Sequence, residues 1–285
     1  MSVDHYENFP VASWLCPPAL RPAVRAIYAF ARTADDLADE GTATRDERLA
    51  ALTAYERDLH AACAGQALSP RWREVFVPLG PVIARHRLPP VLFTDLLDAF
   101  RQDLTQTRYA DRAQLLDYCR RSANPVGRLL LHLYGVADAQ ALRKSDAICS
   151  SLQLANFWQD LSIDTARGRL YIPRADCERH GVAAADLLAR RDSPMARALI
   201  GEMVAWTRRL MLEGAPLVHR VAGRAGWELR LVVQGGLRIL QRIEQRGFDA
   251  LLQRPCLHWH DAPTLAWRAL RMRPAAARAL EEPAR

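Results

Sequence analysis

The sequence predicts a single all-α domain, and three observations support that prediction. Apolar residues recur at helical spacing over long segments that Pro and Gly separate. Alternating patterns typical of strands are nearly absent. No repeat of about 20 to 50 residues and no low-complexity linker divides the chain. We therefore expect one domain over residues 1–285, a bundle of many helices with a core large enough for a central apolar cavity. Within it, residues 1–19 form an N-terminal segment and residues 255–285 a basic tail.

The predicted helices follow one another along most of the chain. The first covers residues 23–40, which contain no Gly or Pro. The others are predicted, in order, at residues 45–64, 70–86, 90–106, 111–135, 139–165, 194–213 and 225–252. We expect Pro125 to bend the helix in which it lies, because proline lacks a backbone N–H. Residues 168–173 are too short to found a sheet.

The composition argues against several classes of function. The net charge is +7, but it comes from arginines scattered among acidic residues, with Lys144 as the one lysine. We therefore expect no nucleic-acid partner. Six cysteines without a CxxC pair indicate reduced thiols and a cytoplasmic protein. Because the sequence lacks a signal-peptide pattern and an apolar run of about 18 residues, we expect no membrane span.

The tail after Pro255 is rich in Arg, Ala and Trp and has two interpretations. The one we favour is a loosely packed terminal helix. The other is contact with a membrane surface through Leu265, Trp267 and Leu270 and the nearby arginines. In that case the protein is peripheral at the inner face of the membrane.

One face of the first predicted helix carries polar residues at regular spacing. Tyr28, Arg32, Asp35 and Asp39 follow at steps of four, three and four, so they lie on one side of the helix. The two carboxylates are about 6 Å apart along the axis, at 1.5 Å rise per residue. This pattern fits an exposed acidic patch paired with Arg32, and it also fits a divalent-cation site. The helix alone does not decide between them.

A second helix repeats the pattern. Gln153, Asn156, Asp160 and Asp164 step by three, four and four along one face between Leu, Ala, Phe, Trp and Ile. Four polar side chains on one side of an apolar helix would be unsatisfied in a core. Two carboxylate pairs on facing helices form an oxygen-only set, which suits Mg²⁺ bound through carboxylates, waters and substrate phosphates.

Arginines accompany both acidic faces. Arg169 follows the second face directly, and Arg32 precedes Asp35 by three residues. Each guanidinium either reaches a metal-bound diphosphate or balances a neighbouring Asp, and both can hold for Arg32. A metal-neutralised diphosphate leaving group in a water-poor apolar bundle would generate carbocations, whose fate the apolar walls would decide.

The two patterns together resemble the squalene/phytoene synthase family of trans-head-to-head prenyl synthases, over roughly residues 5–250. The first motif reads Tyr28-x-Phe30-x-Arg32-x-x-Asp35-Asp36-x-x-Asp39. The second reads Gln153-x-x-Asn156-x-x-x-Asp160-x-x-x-Asp164, followed by Gly168-Arg169-x-Tyr171-x-Pro173. Two separated motifs in this order are specific, whereas either alone would not be.

The resemblance implies an isoprenoid-synthase-type helical bundle that ionises allylic or cyclopropylcarbinyl diphosphates with two or three Mg²⁺ ions. By position, the metal ligands would be Asp35, Asp39, Asn156, Asp160 and Asp164, the four carboxylates being catalytic together with Tyr28. Substrate contacts would come from Asn8, Phe9, Arg32, Gln153, Asn156, Arg169 and Tyr171.

One stretch departs from the pattern of the condensing members. They carry Tyr-Cys-x-x-Val-Ala-Gly-x-Val-Gly with a functional tyrosine after the Cys, and this chain has Tyr118-Cys119-Arg120-Arg121-Ser122-Ala123-Asn124-Pro125-Val126-Gly127. With these departures, the chain resembles the hydroxysqualene synthase branch of bacterial hopanoid pathways. That branch captures the cation of presqualene diphosphate with water, which Arg121, Ser122 and Asn124 would position. Arg121 and Asn124 are counted here as catalytic. Local helix capping explains Asn124 equally well.

The resemblance also bears on cofactors and partners. No nicotinamide cofactor is expected, in agreement with the lack of a Gly-x-Gly-x-x-Gly motif. The expected partners are presqualene diphosphate, neighbouring enzymes of the squalene pathway and the membrane surface. The main alternative is a condensing enzyme that makes presqualene diphosphate, squalene or phytoene. Less favoured are a non-catalytic assembly protein on the same fold, since all four carboxylates are present, and a lipid carrier, which would not need them.

Overall fold

The computed structural model describes residues 16–272, and every regular element in that range is helical. The first seven helices are α1 Arg21–Asp39, α2 Arg45–Ala64, α3 Arg73–His86, α4 Pro90–Asp103, α5 Arg112–Ser122, α6 Asn124–Leu133 and α7 Ala139–Gln159. The next six are α8 Leu161–Asp164, α9 Arg174–Arg179, α10 Ala184–Leu188, α11 Pro194–Gly214, α12 Gly223–Gln245 and α13 Ala262–Leu270. The prediction of an all-α fold is therefore confirmed. That the whole chain forms one domain around a central cavity stays a prediction.

Helix α1 is held in place by an aromatic cluster. The ring of Phe30 is fully buried and lies 5.3 Å from the ring of Tyr55 on α2 and 5.1 Å from that of Phe93 on α4. The hydroxyl of Tyr55 also donates to the backbone carbonyl of Phe30 at 3.1 Å. Aromatic contacts of this kind bury much apolar surface and fix ring orientation. The apolar side of α1 is thus fixed against α2–α4, and its polar side faces away from them.

Helix α7 lies at the centre of the second half of the bundle and packs against α6, α11 and α12. The indole of Trp158 is fully buried and donates to the hydroxyl of Thr207 on α11 at 2.7 Å. Gly127 allows α6 to approach closely, because a Cβ there would lie 2.5 Å from the side chains of Ser145 and Cys149 on α7. These contacts fix the orientation of α7 and of the polar face it carries.

Two segments that the sequence predicted as single helices are each interrupted in the structure. The segment 111–135 is two helices, α5 and α6, which break at Ala123 (φ −123°, ψ −44°). Pro125 falls in the first turn of α6, where its missing N–H costs no hydrogen bond. The prediction of one helix over residues 139–165 is also wrong. α7 ends at Gln159, and Asp160 (φ −97°, ψ 12°) separates it from α8.

The helix predicted over 225–252 ends early. α12 stops at Gln245, and the chain then turns through Gly247 and Phe248, which have φ of 64° and 65°. A positive φ at these positions is incompatible with continuing the α-helix. The remaining predicted helices agree with the structure to within three residues at each end. No helix within residues 16–272 is long and apolar enough to cross a membrane.

Candidate active site

The polar face of α1 is an accessible cluster of charges. The carboxylates of Asp35 and Asp39 are 48% and 42% exposed, so this face is open rather than buried. The guanidinium of Arg32 contacts Asp35 at 3.2 Å, Asp36 at 2.6 Å and Glu40 at 2.8 Å. Burial by itself lowers the pKa of Arg32, but the charges of these three carboxylates raise it. Four acidic groups, Asp35, Asp36, Asp39 and Glu40, thus lie within about two and a half helical turns of Arg32.

Tyr28 lies on the same face of α1, half-buried, one turn before Arg32. Its electrostatic effect on the Arg32 guanidinium indicates that the hydroxyl lies near this charge cluster. The sequence also proposed Asn8 and Phe9 as substrate contacts, and both lie outside the described residues.

The second acidic segment spans the break between α7 and α8. Gln153 and Asn156 lie on α7, half-buried and exposed respectively, Asp160 occupies the break, and Asp164 ends α8. The break retains the hydrogen bond from the N–H of Asp164 to the carbonyl of Asp160, at 2.8 Å. Burial and the neighbouring charge of Asp160 raise the pKa of Asp164 to about 6. The segment therefore concentrates negative charge in a partly buried place.

The two acidic segments meet through Arg169. A 3₁₀ turn follows α8 and ends at Gly168, whose φ of 75° lets the chain reverse. The N–H of Arg169 returns to the carbonyl of Asp164 at 2.9 Å, and its Nη2 donates to Oδ1 of Asp39 at 2.7 Å. The guanidinium thus lies between the carboxylates of α1 and those of α7–α8. The structure brings the two motifs to one place.

Asp103, the last residue of α4, belongs to this site although no pattern in the sequence predicted it. Its Oδ2 accepts a hydrogen bond from the hydroxyl of Tyr118 on α5 at 2.9 Å. Burial raises the pKa of Asp103 to about 7, with contributions from Asp39 and Asp35, against the lowering effect of Tyr118 and Arg169. No local pattern marks this residue, because a single Asp at a helix end is common and its neighbours come from other helices.

An aromatic wall borders the carboxylates. The ring of Tyr171 stacks on that of Phe157 at 3.7 Å between centroids and lies 5.9 Å from that of Tyr109. Burial raises the pKa of Tyr171, and the nearby charges of Asp103 and Asp164 raise it further. The hydroxyl end of Tyr171 therefore lies near the acidic segments, and its ring continues into apolar packing.

Arg254 is a second residue that the sequence did not reveal. Its guanidinium makes an ion pair with Asp160, with both Nε and Nη2 donating to the carboxylate. Gln159, which is buried, donates to the carbonyl of Pro255 at 2.7 Å and holds the segment after α12 against the end of α7. Asp160 and Arg254 are far apart in sequence and meet only through helix packing.

Arg121 and Asn124 have partners within the bundle. The guanidinium of Arg121 donates to Gln102 at 2.6 Å and to Asp117 at 2.8 Å. Asn124 is buried, and its Oδ1 accepts from the hydroxyl of Ser150 at 2.9 Å. Asn124 is the first residue of α6, and the N-cap residue before it, Ala123, makes no side-chain cap hydrogen bond. Arg121 is linked to the site through Gln102, which precedes Asp103.

The donor set is composed of oxygen atoms. Asp35, Asp39, Asp160, Asp164 and the amide of Asn156 carry carboxylate and carbonyl oxygens, the kind of atom that Mg²⁺ prefers as a ligand. Between residues 16 and 272 no group of three or more His, Cys, Asp or Glu converges into a metal cage. A cation held partly by waters and substrate phosphates needs no such cage. Burial and the charge of Asp160 raise the pKa of Asp164, and a bound cation would favour its ionised carboxylate.

The profile of the squalene/phytoene synthase family matches residues 3–262. The chain belongs to this family. Its enzymes process prenyl diphosphates and generally use divalent metal ions, and the fold predicted from the resemblance is confirmed. A crystal structure of squalene synthase HpnC from Alicyclobacillus acidocaldarius is 42% identical, with a TM-score of 0.79, over 86% of this chain and 90% of that chain.

Curated relatives of this family differ in the reaction that their names give. A hydroxysqualene synthase of Rhodopseudomonas palustris is 34% identical over 250 residues, 87% of this chain and 82% of the relative. A phytoene synthase of Thermus thermophilus is 32% identical over 255 residues, 88% of this chain and 83% of the relative. Family membership therefore establishes the class of enzyme.

Proposed function

We propose that the protein converts presqualene diphosphate and water into hydroxysqualene and diphosphate. The bond between carbon and the diphosphate oxygen breaks, and its electron pair leaves with diphosphate. The cyclopropylcarbinyl cation rearranges, the oxygen of water adds to it, and one proton is released. No hydride is transferred, so the reaction needs no nicotinamide cofactor. The similarity to relatives named hydroxysqualene synthase supports this choice of substrate.

The observation that supports the chemistry most directly is the contact of Arg169 with Asp39, because it joins both acidic segments at one site, which we call the acidic cleft. Asp35 and Asp39 on one side, and Asn156, Asp160 and Asp164 on the other, would hold Mg²⁺. The ions supply charge neutralisation of the diphosphate when they are bound. Arg32, Gln153 and Arg169 would donate hydrogen bonds to the diphosphate oxygens, as guanidinium groups do to phosphates.

The hydrocarbon part of the substrate would lie against the aromatic wall. The ring of Tyr171, stacked on that of Phe157, lies near Asp103 and Asp164, and aromatic rings attract a cation. Tyr28, Asn8 and Phe9 are proposed as further contacts on the substrate side. Arg121 and Asn124 are proposed to position the water that quenches the cation, in agreement with their polar character in a largely apolar bundle.

A reconstituted assay tests the proposal. Purified protein with Mg²⁺ receives presqualene diphosphate or farnesyl diphosphate, each with and without NADPH, and the extracted products are identified by mass spectrometry. We expect hydroxysqualene from presqualene diphosphate alone, no effect of NADPH, and loss of product with EDTA that excess Mg²⁺ restores. Activity that survives EDTA would contradict the metal assignment.

The second candidate is a condensing enzyme, favoured by the similarity to phytoene synthase over most of the chain. In the same assay, consumption of farnesyl diphosphate into a condensed product would replace our proposal with this one. A protein that acts on neither diphosphate would favour the non-catalytic alternative. We further propose a cytoplasmic location, with membrane contact and transfer of the apolar product to neighbouring enzymes of the squalene pathway.

A further inference from the structure

The outward face of α13 is apolar although it is exposed. Trp267 and Leu270 are 55% and 65% exposed, and Pro263 and Ala266 beside them are exposed as well. The opposite side of the helix is packed, with Ala269 buried. A helix at a protein surface normally presents polar residues to water and apolar ones to the core. In α13 both sides carry apolar residues.

Charged contacts fix α13 to α12. The carboxylate of Asp261, which precedes α13, is buried and accepts from Arg238 and Arg242 at 2.8 Å and from the N–H of His258 at 3.0 Å. At the other end, Nη1 of Arg230 on α12 donates to the carbonyls of Ala269 and Met272 at 3.3 and 3.2 Å. Both ends of the helix are thus attached, and the outward face keeps a defined direction.

Arginines flank the aromatic side chains of this region. The guanidinium of Arg271 lies 4.6 Å from the ring centre of Trp267. That of Arg230 lies 4.7 Å from the ring centre of Trp227, which is 42% exposed. Since Arg230 also bonds the end of α13, Trp227 lies beside this end. Residues 262–280 contain four arginines and no Asp or Glu.

We propose that the surface formed by Trp227, Trp267, Leu270 and Arg271, which we call the α13 face, binds an anionic lipid bilayer. Trp side chains are favoured at the level of lipid headgroups, and arginines next to them attract anionic lipids. This inference rests on the proposed function in one respect, since a water-insoluble product gives such an enzyme a reason to stay at a membrane.

The area and the charge argue against a second copy of the chain as the occupant. A helix of nine residues is about 13.5 Å long, and one side of it offers on the order of 150 Å². A stable protein interface needs about 800 Å² from each partner. Two copies would also bring positively charged arginines close to one another, and these would repel. Binding to a bilayer requires neither an interface of that area nor a complementary set of side chains.

Vesicle flotation with the full-length protein tests the proposal. The vesicles are made of phosphatidylcholine, either alone or with one third phosphatidylglycerol. We expect the protein to float with the anionic vesicles and to be released by high salt. Trp267→Ser with Leu270→Ser should weaken binding by at least about tenfold, and Arg271→Gln by about fivefold. The matched control is Val91→Ser with Met195→Ser, which removes exposed apolar side chains elsewhere and should bind like the wild type.

Any one of three other results would overturn the proposal. If wild-type protein stays at the bottom with both vesicle types, the α13 face is not a membrane surface. If the double Ser variant floats like the wild type, the contact lies elsewhere. A dimer that the same variant converts to a monomer in size-exclusion chromatography would assign the face to a second copy.

A detergent assay separates this proposal from the proposed function. With substrate supplied in detergent micelles, the double Ser variant should turn over like the wild type. If the wild type binds anionic vesicles and yet makes no hydroxysqualene, the proposed function fails and the surface assignment stands.

Discussion

Arg169 and Asp39 are 130 residues apart in sequence and are joined by a hydrogen bond of 2.7 Å. Asp39 ends α1, and Arg169 follows the turn after α8, so the bond connects the two halves of the bundle at the acidic cleft. The guanidinium is 27% exposed and the carboxylate 42% exposed. A pair this exposed contributes little to stability, about 0–1 kcal/mol. We therefore attribute its significance to the substrate.

Replacing Arg169 tests that interpretation. In Arg169→Gln we expect hydroxysqualene formation to fall by roughly 100-fold, because a charge-assisted contact to the diphosphate is lost. The thermal midpoint should move by less than about 2 °C. Activity from the reconstituted assay and calorimetry give the two values. The control is Arg167→Gln, an exposed arginine in the same turn, which should keep most of the activity. A large loss of stability with normal turnover would show that the pair is structural.

Asp160 tests the cleft from its other side. In Asp160→Asn we expect product formation to fall by at least about 100-fold, because a neutral amide replaces a carboxylate of the proposed Mg²⁺ site. The Mg²⁺ concentration needed for half-maximal activity should rise, and a magnesium titration measures it. Asp186→Asn is the matched control, since that carboxylate is 42% exposed, pairs with Arg191 and is not among the proposed Mg²⁺ ligands. Full activity of Asp160→Asn would refute the metal assignment.

Asn124 separates a structural role from a catalytic one. Asn124→Ala leaves the buried hydroxyl of Ser150 without this acceptor, and we expect a loss of about 1–3 kcal/mol in the free energy of unfolding. The double variant Asn124→Ala with Ser150→Ala should lose less unfolding free energy than the two single variants lose together, and urea denaturation measures all three losses. Gln245→Ala, an exposed amide at the end of α12, should change stability little.

A product analysis of Asn124→Ala decides whether the residue also positions water. If the residue has this role, the remaining activity should shift from hydroxysqualene towards hydrocarbon products, because the cation is no longer captured. An unchanged product ratio would restrict Asn124 to the Ser150 contact.

Asp261 predicts a pH dependence of stability. Burial raises its pKa, but the N–H of His258 and the guanidinium groups of Arg238 and Arg242 outweigh burial and lower the pKa to about 2. Since the pKa is lower in the folded protein than in the unfolded chain, the carboxylate stabilises the fold above about pH 4. This contribution, on the order of 2 kcal/mol, is lost as the pH falls towards 2.

Comparison with Asp261→Asn isolates this effect from other carboxylates. The difference in unfolding free energy between wild type and variant should be largest at pH 6 and should shrink between pH 4 and 2. Denaturant titrations across this range measure it. A difference that stays constant down to pH 2 would show that the Asp261 carboxylate does not titrate as described.

Much of the site was predictable because its parts repeat at helical spacing. Asp35 with Asp39, and Asp160 with Asp164, stand out as carboxylate pairs on otherwise apolar segments, and their order along the chain identified the family. The break at Asp160 was not predictable from periodicity. A single residue that leaves helical geometry disturbs the spacing too little to be visible, since Asp164 still bonds back to Asp160.

The sequence by itself determined the all-α class, the two acidic motifs and the family, because these depend on residues close to one another in the chain. Only the tertiary structure decided that Arg169 contacts Asp39, that Asp103 and Tyr118 border the cleft, and that Arg254 pairs with Asp160. The physical reason is that each of these contacts joins residues on different helices or loops. Their approach depends on how buried side chains pack, and no local pattern in the sequence records that packing.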